Sequence, residues 1–182
     1  MPDEARLVKQ CLKKDERALN ELYKRFASRM FGVCLRYSKD RMEAEDMLHD
    51  GFIKVLGNLE NFRHEGSFEG WMRRLMVNTA INQYRKRISM GETDFEAANI
   101  SETEMADDDA IVGLSVQELL ELVRNLPDGY RIIFNLHVIE GYKHNEIAEI
   151  LNISENTSKS QLAKARKYLQ MTLKKLQYET VG

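Results

Sequence analysis

The stretch Glu146-Ile147-Ala148-Glu149-Ile150-Leu151-Asn152-Ile153-Ser154 decides how the second half of this 182-residue chain folds. Ala148 is small where a second helix has to cross closely, and Leu151 and Ile153 are apolar where a corner needs filling. Asn152 falls where the backbone must enter the left-handed region, which Asn tolerates better than other non-glycine residues. Ser154 stands where a cap for the following helix is needed. Helix, tight turn and helix make a helix-turn-helix, whose second helix is the one that reads a groove.

Outward from the corner, the helix from Glu155 to about Leu176 carries Lys159, Lys164, Arg166, Lys167, Lys174 and Lys175 with Glu155 as the one acid up to Lys175. Such cations neutralise phosphates and release counterions, while the first turns enter the groove. Asn156, Thr157, Lys159, Ser160 and Gln161 are short or hydrogen-bonding types suited to base edges there. A basic solvated helix would share this composition, and it is the turn chemistry in front that separates the two. Upstream, Ser115 caps a helix to Asn125, and Leu126-Pro127 opens another with proline in the first turn. Gly141 ends that helix, and a short one runs from about Lys143 to Leu151.

The first half is helical as well, because apolar residues recur at i, i+3, i+4 and i+7. After a short opening helix, Leu19, Leu22, Tyr23, Phe26, Met30, Val33, Cys34 and Tyr37 form one stripe. Asp40 caps a helix that sends Ala44, Leu48, Phe52, Val55, Leu56 and Leu59 inward and breaks between Glu60 and Gly66. Ser67, three residues before Gly70, starts a third that carries Phe68, Trp71, Met72, Leu75, Thr79 and Tyr84 and extends to Arg87.

Between Ile88 and Gly113 there is no Lys or Arg, against eight Asp and Glu. Such a segment buries too little apolar surface to offset the entropy of ordering. The division is therefore a helical domain over 1–88, an acidic linker over 89–113 and a second helical domain over 114–182. Because the whole chain has a formal net charge of −2, setting the eight acids aside leaves +6 on the two domains. The fold class expected is all-α. No stretch reaches the roughly 20 apolar residues that cross a bilayer, and Met1 to Lys14 lacks the apolar run of a signal peptide, so the expected location is the cytoplasm. Cys11 and Cys34 sit inside helical patterns and read as buried free thiols, with no metal site implied.

With these residues in hand, the second domain resembles region 4 of the extracytoplasmic-function sigma factors of bacterial RNA polymerase. The resemblance runs through Leu126-Pro127, Gly141-Tyr142, Glu146-Ile147-Ala148, Ile153-Ser154, Thr157, Lys159-Ser160, Leu162 and Ala165-Arg166. It implies that this domain reads the minus-35 promoter element, with Lys159, Ser160, Ala163 and Lys164 facing DNA and Lys167 beside them. One departure is Ser158, where the family usually has valine, which implies looser packing of the reading helix.

The first domain is similar to region 2 of the same family. Ala44-Glu45-Asp46-Met47-Leu48-His49-Asp50 resembles the segment that docks on core polymerase, so Glu45, Asp46, Leu48, His49 and Asp50 are implied in that contact. Phe62 and Arg63, ahead of Gly66-Ser67-Phe68, resemble the loop that holds unstacked bases of the non-template strand. Trp71 to Arg87 resembles the helix that recognises the minus-10 element, with Trp71, Arg74, Asn78, Asn82 and Arg85 implied as contacts. Asn78 and Asn82 are four residues apart and share a face, in mid-helix, where Asn is a poor helix former; Trp71 at helical spacing reads as core before it reads as a stacking platform.

The resemblance further implies no catalytic residue, no cofactor, and three partners: core RNA polymerase, promoter DNA and an anti-sigma factor. As a free coil the 26 residues from Ile88 to Gly113 would span roughly 30 Å, and on the order of 90 Å fully stretched. The two promoter elements lie about 60 Å apart. Weak promoter binding without polymerase follows, and the acidic segment is suited to mimic nucleic acid in a basic channel. Two other classes compete. A regulator that binds duplex DNA alone would also end in a helix-turn-helix, but no receiver or ligand domain is evident. A bundle metalloenzyme could use Asp46 and His49, yet lacks the second carboxylate-histidine pair such sites need.

Overall fold

The computed structural model describes residues 2–91 and 115–180, and the acidic segment expected to be a linker lies outside the described residues. All described elements are helical: α1 (Pro2–Leu12), α2 (Glu16–Tyr37), α3 (Arg41–Gly57), α4 (Phe68–Ser89), α5 (Val116–Arg124), α6 (Asp128–Phe134), α7 (His144–Leu151) and α8 (Glu155–Thr180), with a 3-10 turn at Leu59–Asn61. The chain divides into two compact units, Met1–Gln83 and Tyr84–Gly182.

In the first unit α2 packs on α1 and α3. Leu22, Phe26, Met30, Val33, Cys34 and Tyr37 are buried along α2 at spacings of three and four. Phe26 is fully enclosed, and its ring meets Phe68 of α4 edge-on at 5.5 Å. Complete burial of one such side chain contributes about 1.5–3 kcal/mol. Side-chain oxygens cap the helices, at Asp40 and Ser67 where the sequence puts them and at Asp15 besides. The Asp15 carboxylate accepts from Arg17 N–H at 2.9 Å, Asp40 from Glu43 N–H at 2.8 Å, and Ser67 Oγ from Gly70 N–H at 2.9 Å. The Lys54 ammonium donates to the buried Thr79 hydroxyl at 3.1 Å, tying α3 to α4. Two residues expected inward are not: Tyr23 is 47% and Leu56 41% exposed. Both flank their stripes by about one residue, or about 100° of helix, which turns them to the rim.

The second unit is built on α8, against which α5, α6 and α7 pack. Val123, Leu126, Tyr130 and Ala165 form its centre, with Phe134, Tyr168 and Leu169 around them. Ser115 and Glu118 form a reciprocal capping box at the start of α5. Pro127 is the cap residue of α6 and not part of its first turn, as it had been expected to be. Arg131, 3% exposed, explains how the preceding chain end is satisfied: its guanidinium donates to the carbonyls of Arg124 at 2.9 Å and Leu126 at 3.1 Å. After Phe134 the helix widens into a π turn over Asn135–Ile139, closed by Glu140 N–H on the Asn135 carbonyl at 2.9 Å. Gly141, at φ 79°, then ends the element.

Candidate nucleic-acid interface

The helix-turn-helix has the geometry its residues dictate. Asn152 closes α7 at φ 54° and ψ 51°, and Ile153 N–H reaches the Ala148 carbonyl at 3.0 Å. Ser154 Oγ accepts from Thr157 N–H at 2.9 Å, capping α8. At the other end of α7, the Glu146 carboxylate accepts from Lys143 N–H at 2.6 Å.

The start of α8 sorts its residues into two faces. Ser158, Gln161, Leu162 and Ala165 are buried against the rest of the unit. Asn156, Lys159, Ser160, Ala163 and Arg166 are exposed, with Thr157, Lys164 and Lys167 half-buried between the faces. Gln161 therefore has to be withdrawn from the base-reading set: at 3% exposure it occupies the inward stripe, three residues after Ser158 and four before Ala165. Thr157 is occupied locally, its hydroxyl 2.8 Å from Ser154 Oγ. Lys159 pairs with Glu155 at 2.7 Å, and this hydrogen-bonded cation keeps the Glu155 carboxyl below the usual range. Arg166, one of the cations expected to neutralise phosphates, is on the exposed side. Ser158 does not leave the packing loose: it is fully buried, and its hydroxyl lies 2.9 Å from His144 Nδ1.

In the first unit, the loop before α4 and the first turns of α4 enclose a cleft of about 370 Å³ lined by Arg63, Gly66, Ser67, Trp71 and Arg74 among others. Its path depends on left-handed backbone at His64 and Gly66, φ 58° and 95°. Arg63 and Arg74 are exposed at the cleft and Trp71 is half-buried. Phe62, expected with Arg63 to hold unstacked bases, lines this cleft but is largely enclosed. It is 9% exposed, with its ring centroid 4.7 Å from that of His64, 5.1 Å from Phe68 and 5.4 Å from Trp71. An apolar ring gains more from such packing than from water, so it forms the floor of the loop. Further along α4, Asn78 and Asn82 are exposed on one face, and Arg85 is exposed a turn later.

On α3, Glu45, Asp46, His49 and Asp50 are exposed, whereas Leu48, expected among them, is 7% exposed and belongs to the core. Helical spacing puts Leu48 in line with Ala44 and Phe52, both buried, which is why it turns inward. The face shared by Asp46 and His49 also holds Met42 and Ile53, 71% and 57% exposed, and then Leu56. Met42 and Ile53 were not picked out, and the available signal was their apolar character off the buried stripe. Among the described residues no group of three His, Cys, Asp or Glu is arranged to hold a metal, and no helix is long and apolar enough to cross a membrane.

Two helical units, one with a cationic helix-turn-helix and one with an arginine-lined cleft, define a DNA-binding protein of two modules. Residues 22–88 match the model of sigma-70 region 2 and residues 116–169 that of sigma-70 region 4. The chain belongs to the sigma-70 family, as a member of its extracytoplasmic-function type. It is 29% identical over 179 residues to the ECF RNA polymerase sigma factor SigW of Bacillus subtilis, covering 93% of this chain and 96% of that one. It is 26% identical over 180 residues to the ECF RNA polymerase sigma-E factor of Haemophilus influenzae, covering 93% and 95%. Among solved structures it is similar in fold to the sigma factor RpoE of Bartonella quintana, crystallised with the anti-sigma factor NepR. That likeness has a TM-score of 0.50 and 21% identity, and covers 85% of this chain and 96% of that one.

Proposed function

We propose that this chain is a transcription initiation factor that binds core RNA polymerase, recognises the minus-35 and minus-10 elements of promoters and promotes melting between them. The observation that carries this is the presence of regions 2 and 4 in one chain, in that order. It acts by binding and needs no cofactor of its own, in the cytoplasm where its polymerase and template lie.

In the second unit, Asn156, Lys159, Ser160 and Ala163 face the minus-35 bases, and Lys164 and Lys167 contact the flanking phosphates. This assignment is supported by the exposed face of α8. In the first unit, the cleft beside Arg63, Trp71 and Arg74 receives a base drawn out of the non-template strand, and Asn78 and Asn82 read the minus-10 strand. Arg85, past the unit boundary on α4 and donating to the Ile150 carbonyl, holds the same strand. The size of the cleft and its two guanidinium groups support that use. Glu45, Asp46, His49 and Asp50 supply acidic and polar contacts to a basic surface of core polymerase. Met42, Ile53 and Leu56 provide the apolar area a stable contact requires. The domains run over 1–88 and 114–182 with 89–113 as the connecting segment, and an anti-sigma protein is the expected antagonist.

Transcription in vitro with a cognate core polymerase on a promoter library tests this reading. Asn78→Ala and Asn82→Ala should lose discrimination at positions within the minus-10 element, and Lys159→Ala at positions within the minus-35 element. Tight, specific binding to duplex DNA by the chain without polymerase, and no initiation with it, would overturn the reading in favour of a stand-alone regulator.

A further inference from the structure

The buried stripe of α8 begins on a hydroxyl. Ser158, 0% exposed, places Oγ 2.9 Å from His144 Nδ1 on α7, across the two helices of the helix-turn-helix. Apolar contacts tolerate sliding, whereas a hydrogen bond weakens steeply with distance and angle. Ser158 is also the stripe residue nearest the end of α8 that enters the groove, ahead of Leu162 and Ala165. At about 100° per residue, rotation of α8 at this point redirects Asn156, Lys159 and Ser160 together.

His144 is held from behind as well. Its ring stacks on that of His137, centroids 4.2 Å apart and planes at 15°. His137 Nδ1 faces the Tyr142 carbonyl at 2.9 Å, so that nitrogen carries the proton. The titratable and charged groups around His144 are His137 from the π turn and Lys159, Glu155 and Arg166 from α8. Burial, then His137, Lys159 and Arg166, lower its affinity for a proton. Glu155 opposes them, but its carboxylate is already engaged by Lys159 at 2.7 Å. A proton added to the imidazole would meet a stacked ring and two cations.

We propose that His144 and Ser158 form a positioning pair that sets the rotation of the reading helix on promoter DNA. This rests on the minus-35 assignment above and adds to it the residues that aim the contacts without touching a base.

The test uses the reconstituted holoenzyme on a promoter with both elements and on a matched promoter with the minus-35 element scrambled. The ratio of the two transcript yields measures minus-35 dependence. Near neutral pH, Ser158→Ala and His144→Phe should each lower that ratio roughly fivefold, the scale of one lost hydrogen bond, and the double variant should lower it no further. Ser158→Thr, which keeps the hydroxyl, should retain it. Equal losses on both promoters accompanied by a lowered melting temperature, or additive losses in the double variant, would each overturn the pair's role. Failure of the wild-type protein to initiate on any promoter is a different result, which removes the promoter reading and this role with it.

Discussion

Gly51 of α3 faces Met76 of α4 so closely that a methyl group on Gly51 would overlap the Met76 sulfur. Met76 is itself fully buried and has no solvent to swing into. Gly51→Ala should therefore destabilise the first unit by about 1–3 kcal/mol, read as a shift in the urea midpoint of the full chain. Met76→Ala alone should cost about 2–5 kcal/mol, and the double variant less than the sum of the two. Strict additivity would contradict the close approach.

Ser154 accepts the Thr157 N–H at the point where the reading helix begins. Its replacement by alanine should lower the stability of the second unit by about 1 kcal/mol and leave the first unchanged. Asn152→Gly, at the left-handed corner beside it, should be close to neutral, because glycine adopts that conformation freely. Hydrogen exchange of amides in each unit separates these effects.

Lys164 is assigned to phosphate and not to bases. In promoter titrations of the holoenzyme at several salt concentrations, Lys164→Ala should weaken binding by a similar factor on every minus-35 sequence and reduce the salt slope by about 1. A change in sequence preference would move Lys164 into the base-reading set.

Glu118 is held ionised by the Ser115 backbone N–H and then by the Ser115 hydroxyl, which together keep its carboxyl below the ordinary range. A depressed folded value means the contribution is present at neutral pH and is lost as pH falls through that value. Carboxyl NMR titration should show Glu118 protonating at lower pH than an uncapped glutamate, and moving part of the way back in Ser115→Ala, which removes the hydroxyl and keeps the backbone N–H. An unchanged titration would show that the capping box does not form in solution.

The turn-helix grammar of this chain was legible because it depends on single residues with few alternatives. Asp40, Ser67, Asn152 and Ser154 each do what their side chains permit at a helix end. Periodicity identified the stripes and blurred only their edges, where Tyr23 and Leu56 turned outward. What could not be read was the partner of each side chain. Gln161 has a chemistry suited to DNA, and only the packing of α8 shows that it faces the other way. Leu48 sits among acids in sequence but in line with Ala44 and Phe52 in space. Phe62 packs against Phe68 and Trp71, which leaves little of its ring exposed. The His144–Ser158 bond joins residues fourteen positions apart, beyond the reach of any local pattern. The π turn after α6 was not expected from the residues, which read as one continuous helix to Gly141.

Both thiols of the protein lie in its first unit, 4% and 0% exposed, and burial pushes that of Cys34 up to about 12. An alkylating reagent, which attacks thiolates, can reach them only when that unit opens. The chain thus carries its own clock for breathing of one module, silent to events in the other. Timing the labelling with and without a bound antagonist would tell which module that antagonist clamps.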